Sequence, residues 1–291
     1  MLETSYLNGE FVPSEDARIS IFDRGFLFGD GIYEVIPVVN GVLIDRDYFL
    51  ERLSRSTGEI DLAWPCEASQ LLAVLEELIV RNALVEGYVY LQFTRGVAQR
   101  EFQYPADVTP TFMAFASALS ILDNPLAASG VSVVTVEDLR WKRRDIKSLN
   151  LLGQCMAKQQ AALCGAYEGW MTEQGFVTEG ASSSAFIVKN NTIVTHPLSN
   201  SILPGIRRRV ILELVEEQQV SVELRPFQVE EALEADEAFL SSATTLVLPV
   251  TRIDDNPVGN GKPGPVAALA RDLYLAQVKA TAGLDRKSVS Q

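Results

Sequence analysis

The chain has 291 residues, enough for two domains of ordinary size or one large one, and 47% of them are apolar, enough for a sizeable core. Its formal net charge of -13 argues against nucleic acid and anionic membrane surfaces as partners, so any anion site has to be built locally. A first segment Met-Leu-Glu-Thr-Ser-Tyr with no basic or apolar run, and no stretch near the roughly 18 apolar residues of a membrane span, lead us to expect a soluble, cytoplasmic protein. Cys66, Cys155 and Cys164 are dispersed without zinc-knuckle spacing and read as reduced core thiols. His196 is the only histidine, which excludes a histidine-rich metal site, and no metal is expected.

Residues 3 to 12 read as two short strands around the hairpin dipeptide Asn8-Gly9. Gly25, Gly29 and Gly31 then mark backbone that needs positive φ or close approach, before a strand over Tyr33–Val39 that Asn40-Gly41 reverses into 42–44. Helical periodicity covers 47–62 and, more cleanly, 67–84, with Leu71, Leu72, Leu75, Leu78 and Ile79 as the apolar stripe. Strands follow at 87–94 and 111–116, separated by an irregular loop that contains Arg100. Ser120 to Ser129 is the best domain boundary. It divides an N-terminal α/β domain over 1–120 from a C-terminal α+β domain over 121–291 that carries Lys147.

The second half opens on a strand at 131–136. The basic stretch Lys142-Arg-Arg-Asp-Ile-Lys147 then leads into a helix over about 150–164, with Ser148 or Asn150 as its cap. Short strands occupy 167–195, with turns at Gln174-Gly175 and Asn190-Asn191. Pro204-Gly205 precedes a helix over 206–218, whose N-terminus is a ready anion site beside Arg207, Arg208 and Arg209. We read Arg208 and Arg209 as a solvated face. Strands at 220–225, 236–242 and 246–250 follow, then a helix over 264–281 and a polar tail from Asp285 that is expected to fray. Interspersed strands and helices without strict βαβ alternation imply α+β character with mixed sheets.

A phosphorylated pyridinium cofactor needs four groups: a Schiff-base lysine, a partner for the ring nitrogen, a phosphate cradle and a clamp for the substrate carboxylate. Each has a candidate. Lys147 stands where an element ends. Glu179 sits at a strand–turn junction in Val177-Thr-Glu-Gly-Ala-Ser-Ser-Ser184. Arg52, on a helix beside Phe49 and Leu53, offers a fork suited to phosphate. Arg100 lies among Phe102 and Tyr104. Taken singly, Lys147 reads better as a surface lysine, Glu179 as a turn glutamate and Arg52 as a helix-surface arginine. Gly29-Asp-Gly31 lacks the third glycine of a dinucleotide fingerprint and precedes its strand, so that reading is rejected.

Taken together, Phe28-Gly-Asp-Gly-Ile-Tyr-Glu-Val35, Arg52-Leu53, Phe93-Thr-Arg-Gly96, Asp138-Leu-Arg-Trp141, Asp145-Ile-Lys-Ser-Leu-Asn-Leu-Leu-Gly153, Val177-Thr-Glu-Gly180, Thr195-His-Pro197 and Gly205-Ile-Arg207 resemble the fold-type IV pyridoxal-phosphate transaminases, from about residue 4 to 280. Among these the chain looks most like the D-amino acid transaminases. The resemblance implies a two-domain homodimer with pyridoxal 5'-phosphate as cofactor, acting on a D-amino acid and a 2-oxo acid. It implies Lys147 as the cofactor-bearing lysine and proton shuttle, a task that burial and nearby cations such as Arg143 or Arg144 would suit. Glu179 would pair with the pyridine nitrogen. Arg52 and the Gly205-Ile206-Arg207 helix start would hold the phosphate. Ser182, Ala243 and Thr244 would lie around ring and phosphate, and Tyr33, Arg100 and Ser242 would line the substrate side. Phe102 stands where the D-specific enzymes carry a histidine, Ser184 replaces an asparagine, Arg207 a threonine, and Ala243 a hydroxyl residue. The alternatives are a branched-chain L-amino acid transaminase, an aminodeoxychorismate lyase, or a non-catalytic relative.

Overall fold

The computed structural model describes residues 3–285. The chain separates into two units by its contacts. One holds the chain up to Ile121, the segment Ile146–Leu149 and the chain from Val278. The other holds Leu122–Asp145 and Asn150–Gln277.

The first unit contains β1 (Thr4–Leu7), β2 (Glu10–Pro13), α1 (Arg24–Phe28), β3 (Gly31–Val39), β4 (Val42–Leu43), α2 (Arg46–Gly58), α3 (Ala68–Arg81), β5 (Glu86–Thr94) and β6 (Thr111–Ala118). Its six strands form one antiparallel sheet in the order β2-β1-β6-β5-β3-β4. Asn8-Gly9 and Asn40-Gly41 make the two hairpin turns, and all four residues have positive φ, as the primed turns require. Alternation along β5 buries Val89, Leu91 and Phe93 and leaves Tyr88, Tyr90 and Gln92 half-buried. On that second face Tyr33, Tyr90 and Phe115 stack, with centroids 5.6 Å and 4.9 Å apart. α3 buries Leu71, Leu75, Leu78 and Ile79 at helical spacing.

α1 escapes the sequence reading because five residues carry no period. It starts on Asp23, whose carboxylate accepts from the Gly25 N–H, and ends on Gly29 at φ 67°. Gly31 is needed for close approach: a Cβ there would lie 2.3 Å from the Phe93 carbonyl oxygen and 2.8 Å from Leu149 Cδ1. Gly31→Ala is therefore expected to destabilise the protein by about 1–3 kcal/mol, the usual cost of overpacking, measured as a fall in the urea midpoint.

The second unit contains α4 (Leu126–Ser129), β7 (Val131–Glu137), α5 (Leu152–Leu163), β8 (Glu168–Glu173), β9 (Phe176–Gly180), β10 (Ser184–Lys189), β11 (Thr192–Thr195), α6 (Ile206–Glu217), β12 (Ser221–Leu224), α7 (Val229–Leu233), β13 (Glu237–Ser242), β14 (Leu246–Ile253), β15 (Asn256–Pro257) and α8 (Pro265–Thr281), which runs on into the residues grouped with the first unit. Its sheet runs β12-β11-β10-β13-β14-β7-β8-β9, with β15 on β14. The pairs β7/β8 and β11/β12 are parallel, and α5 and α6 supply the crossovers such pairs require. β14/β7 is also parallel and the remaining pairs are antiparallel, so the α+β, mixed-sheet expectation holds. The core is built on fully buried Trp170, edge-on to Phe227, and on Phe186 stacked against Phe239 at 4.5 Å.

Three expectations need correction. The helix after Lys147 begins at Leu152 with Leu151, rather than Ser148 or Asn150, at its cap position; Ser148 lies further back, its backbone bridged to Ile32. The cysteines are free but not core thiols: Cys66 is half-buried, and Cys155 and Cys164 are exposed. The lysine groups with the first unit, where the sequence reading gives it to the second domain. The tail beyond Asp285 lies outside the described residues.

Candidate active site

Lys147 owes its place to the edge of β3. β4 pairs only with Val38 and Val39, so the start of β3 has an unpaired edge, and Ile146–Leu149 takes it. The Tyr33 N–H donates to the Lys147 carbonyl at 3.0 Å, and the Leu149 N–H donates to the Gly31 carbonyl at 3.1 Å. The lysine is half-buried, with Nζ 4.1 Å from the centre of the Tyr33 ring, so these two predicted residues are brought together. Among the described residues no carboxylate lies within ion-pair distance of Nζ.

The helix α2 turns Phe49, Arg52, Leu53 and Ser56 to one buried face, at the i, i+3, i+4, i+7 spacing of a helical stripe. Ser56 Oγ accepts from the Lys147 N–H at 3.4 Å, and Arg52 forms a fork on Glu34, Nε to Oε1 at 2.8 Å and Nη2 to Oε2 at 2.6 Å. Glu34 is fully buried and was not singled out from sequence; its only signal is a carboxylate in a strand of apolar neighbours. Arg100 is exposed, 5.5 Å from the Phe28 ring and 5.9 Å from Phe102, while Arg95 rather than Arg100 lies over Tyr104. No hydrogen bond, ion pair or ring contact joins Arg100 to Tyr33 among the described residues.

In the second unit, Glu179 lies near the end of β9 and is only 5% exposed. Its Oε1 accepts from Arg140 Nη1 at 2.5 Å and from the Leu203 N–H at 3.1 Å, while Oε2 meets no protein donor among the described residues. Burial dominates and holds the carboxyl above its ordinary range, opposed only in part by the charge and hydrogen bond of Arg140 and by the Leu203 N–H. Arg143 pairs with Asp145, and Arg144 with Glu173 and Asp138. Ser182 and Ser183 both donate to Glu168 Oε2, at 2.9 Å and 3.2 Å, and Lys158 Nζ sits 3.1 Å from Oε1. Glu168, wholly buried, is a second carboxylate missed from sequence.

Gly205 caps α6 without a side chain, and a Cβ there would lie 2.7 Å from Ser184 Oγ. The start of this twelve-residue helix carries the positive end of its dipole, which favours an anion. Ile206 and Arg207 are buried behind it, and the Arg207 guanidinium lies 5.9 Å from the Tyr274 ring centre. Arg209 is exposed and pairs with Glu213, as a solvated face should. Arg208 corrects the same expectation. It is 4% exposed, gives Nη2 to the His196 carbonyl at 2.8 Å, and burial lowers its guanidinium to about 10. At the turn after β13, Ser242 Oγ bonds Thr245 Oγ1 at 2.8 Å and lies 3.5 Å from Thr244 Oγ1, with Ala243 between them; Arg271 holds the Thr245 and Val247 carbonyls.

Residues 31–253 match the family model described as amino-transferase class IV. The D-alanine aminotransferase of Bacillus licheniformis is 41% identical over 259 residues, 89% of this chain and 91% of its own length. That of Staphylococcus haemolyticus is 42% identical over 264 residues, 90% and 93% of the two chains. Among solved structures, the branched-chain amino acid aminotransferase of Escherichia coli superposes with a TM-score of 0.89 at 22% identity, over 100% of this chain and 98% of that one. The branched-chain enzyme of Thermobaculum terrenum, in its PLP-form, gives 0.83 at 22% identity, over 98% and 95%. At that identity the solved structures speak for the fold alone.

Proposed function

The chain belongs to the amino-transferase class IV family, and from that premise we propose that it moves the amino group of a D-amino acid such as D-alanine to a 2-oxo acid such as 2-oxoglutarate, with pyridoxal 5'-phosphate as cofactor. Identities of 41% and 42% to relatives named D-alanine aminotransferase support the substrate class. The observation that carries the reading is Glu179: a buried carboxylate with one oxygen committed to the protein and the other facing no protein donor fits a ring N–H. The uncapped start of α6 at Gly205 fits a phosphate.

When bound, the cofactor supplies an electron sink for the pair left behind as a Cα proton departs. Lys147 would hold the cofactor through Nζ, and the same amine, placed over Tyr33, would be the base that accepts the Cα proton. The rigid backbone of 146–149 and the face of Tyr33 fix the amine's position. Glu179 holds the ring nitrogen protonated. Arg52, with its fork oriented by Glu34, and the N–H groups of Ile206 and Arg207 hold the phosphate; Ser182, Ala243 and Thr244 border ring and phosphate. Tyr33, Arg100 and Ser242 line the substrate side. The two units act as two domains with a boundary near residue 120. The protein works as a cytoplasmic homodimer, a reading supported by the exposed apolar side chains of Ile21, Phe22, Phe26, Val97 and Phe102 and by the free cysteines. No helix among the described residues is long and apolar enough to cross a membrane.

Phe102, 82% exposed where the resemblance leads one to expect a histidine, is the one observation favouring a second reading, a branched-chain L-amino acid transaminase. Supplying D- and L-alanine separately with 2-oxoglutarate decides: product from D-alanine alone is expected, and turnover of the L-isomer alone refutes the stereochemical assignment. Arg100→Ala is expected to lower kcat/KM for D-alanine by about 10- to 100-fold, the worth of one charged hydrogen-bonding partner, mostly through KM. Unchanged kinetics would remove Arg100 from the clamp.

A further inference from the structure

Glu179 is held by a network larger than one ion pair. Arg140 places its Nε on Asp138 Oδ1 at 2.9 Å and its Nη2 on Asp138 Oδ2 at 2.7 Å, a fork that fixes the plane of the guanidinium. Only Nη1 then reaches Glu179, and it reaches Oε1. Asp138 is itself anchored, accepting from Thr178 Oγ1 at 2.7 Å and lying 3.3 Å from Arg144 Nη1. The arginine stem has room because residue 153 is glycine; a Cβ there would lie 2.9 Å from Arg140 Cγ. The other groups facing Glu179 are the Leu203 N–H ahead of α6 and the charge of Arg208 on α6.

We infer that Arg140 is a positioning residue that turns the Glu179 carboxyl group so that Oε2 alone is presented to a cofactor ring nitrogen. This rests on the function proposed above. Burial alone drives a carboxyl towards its neutral form, and a neutral carboxyl cannot hold a ring nitrogen protonated. Arg140 opposes that drive, and Asp138, as a like charge, adds to it. The two neighbours of one network thus act on Glu179 with opposite sign.

The test uses the holoenzyme. The visible absorbance of the bound cofactor and kcat/KM for D-alanine are titrated across the acid and neutral range, with a thermal melt of each variant as a check on folding. Arg140→Met is expected to move the acid limb and the absorbance midpoint upward by about 1–3 pH units, since losing a cation at this distance raises a carboxyl by that much. Asp138→Asn is expected to move both downward, and Arg140→Lys to stay nearer the wild type than Arg140→Met. Should Arg140→Met fail to fold, Arg140→Gln decides: an upward move of both midpoints supports the inference, and an unchanged or downward midpoint overturns it. A coloured, active wild type whose variants keep its profile, or move in one direction together, overturns the inference and leaves the proposed function standing. A colourless, inactive wild type overturns both.

Discussion

Lys147→Ala is expected to lower kcat for D-alanine transamination by at least about 10²-fold and up to about 10⁴-fold, the range that a placed acid–base group contributes. Its effect on stability should be small. The ammonium lies over the face of Tyr33, an interaction worth about 0.5–1 kcal/mol at a half-exposed site, and the backbone bonds of 146–149 to β3 do not depend on the side chain. That separation is diagnostic. A lysine serving structure would lose folding and activity together, whereas a lysine serving chemistry loses activity in a protein that melts near the wild-type temperature. Borohydride treatment gives an independent readout: the wild type should retain covalently attached cofactor at Lys147, found by peptide mass, and the variant should retain none. Label recovered on another lysine would show that the chemistry belongs elsewhere.

The second large effect concerns stability. Glu34→Leu strips Arg52 of its fork partner in a buried setting, and breaking such a pair by removing one member costs about 3–5 kcal/mol. The melting temperature should fall by roughly 6–20 °C, at about 2–4 °C per kcal/mol for a domain of this size class. The double variant Glu34→Leu with Arg52→Met should recover most of that loss, because an apolar pair of similar volume leaves no uncompensated charge. It should nevertheless bind the cofactor more weakly than the wild type, since the proposed phosphate ligand is gone. A single variant as stable as the wild type would mean that Glu34 is not the group that satisfies Arg52.

Much of the local architecture is legible one residue at a time. Asn8-Gly9, Asn40-Gly41, Gln174-Gly175 and Asn190-Asn191 turn where their tolerance of positive φ predicts, and the long amphipathic helices fall within a few residues of their periodic stretches. The short helices α1, α4 and α7 do not show, since four or five residues hold too little period to register. Arg208 is misread for a different reason. Three consecutive arginines at a helix start look solvated, yet successive residues advance about 100° around a helix, so neighbours in sequence face different surroundings. Arg207 and Arg208 are buried while Arg209 reaches water.

What the amino-acid sequence determined by itself is the chemistry on offer: a lysine at an element end, a glutamate at a strand–turn junction, an uncapped glycine before a helix, and the ordered motifs that place the chain in its family. The tertiary structure alone decided which charges face one another. Arg52 meets Glu34 eighteen positions away, Glu179 meets Arg140 across thirty-nine, and Ser182 meets Glu168 across fourteen. Propensity and periodicity act over a few neighbours. Ion pairing and desolvation act through space, and only folding brings those partners within about 3 Å of each other.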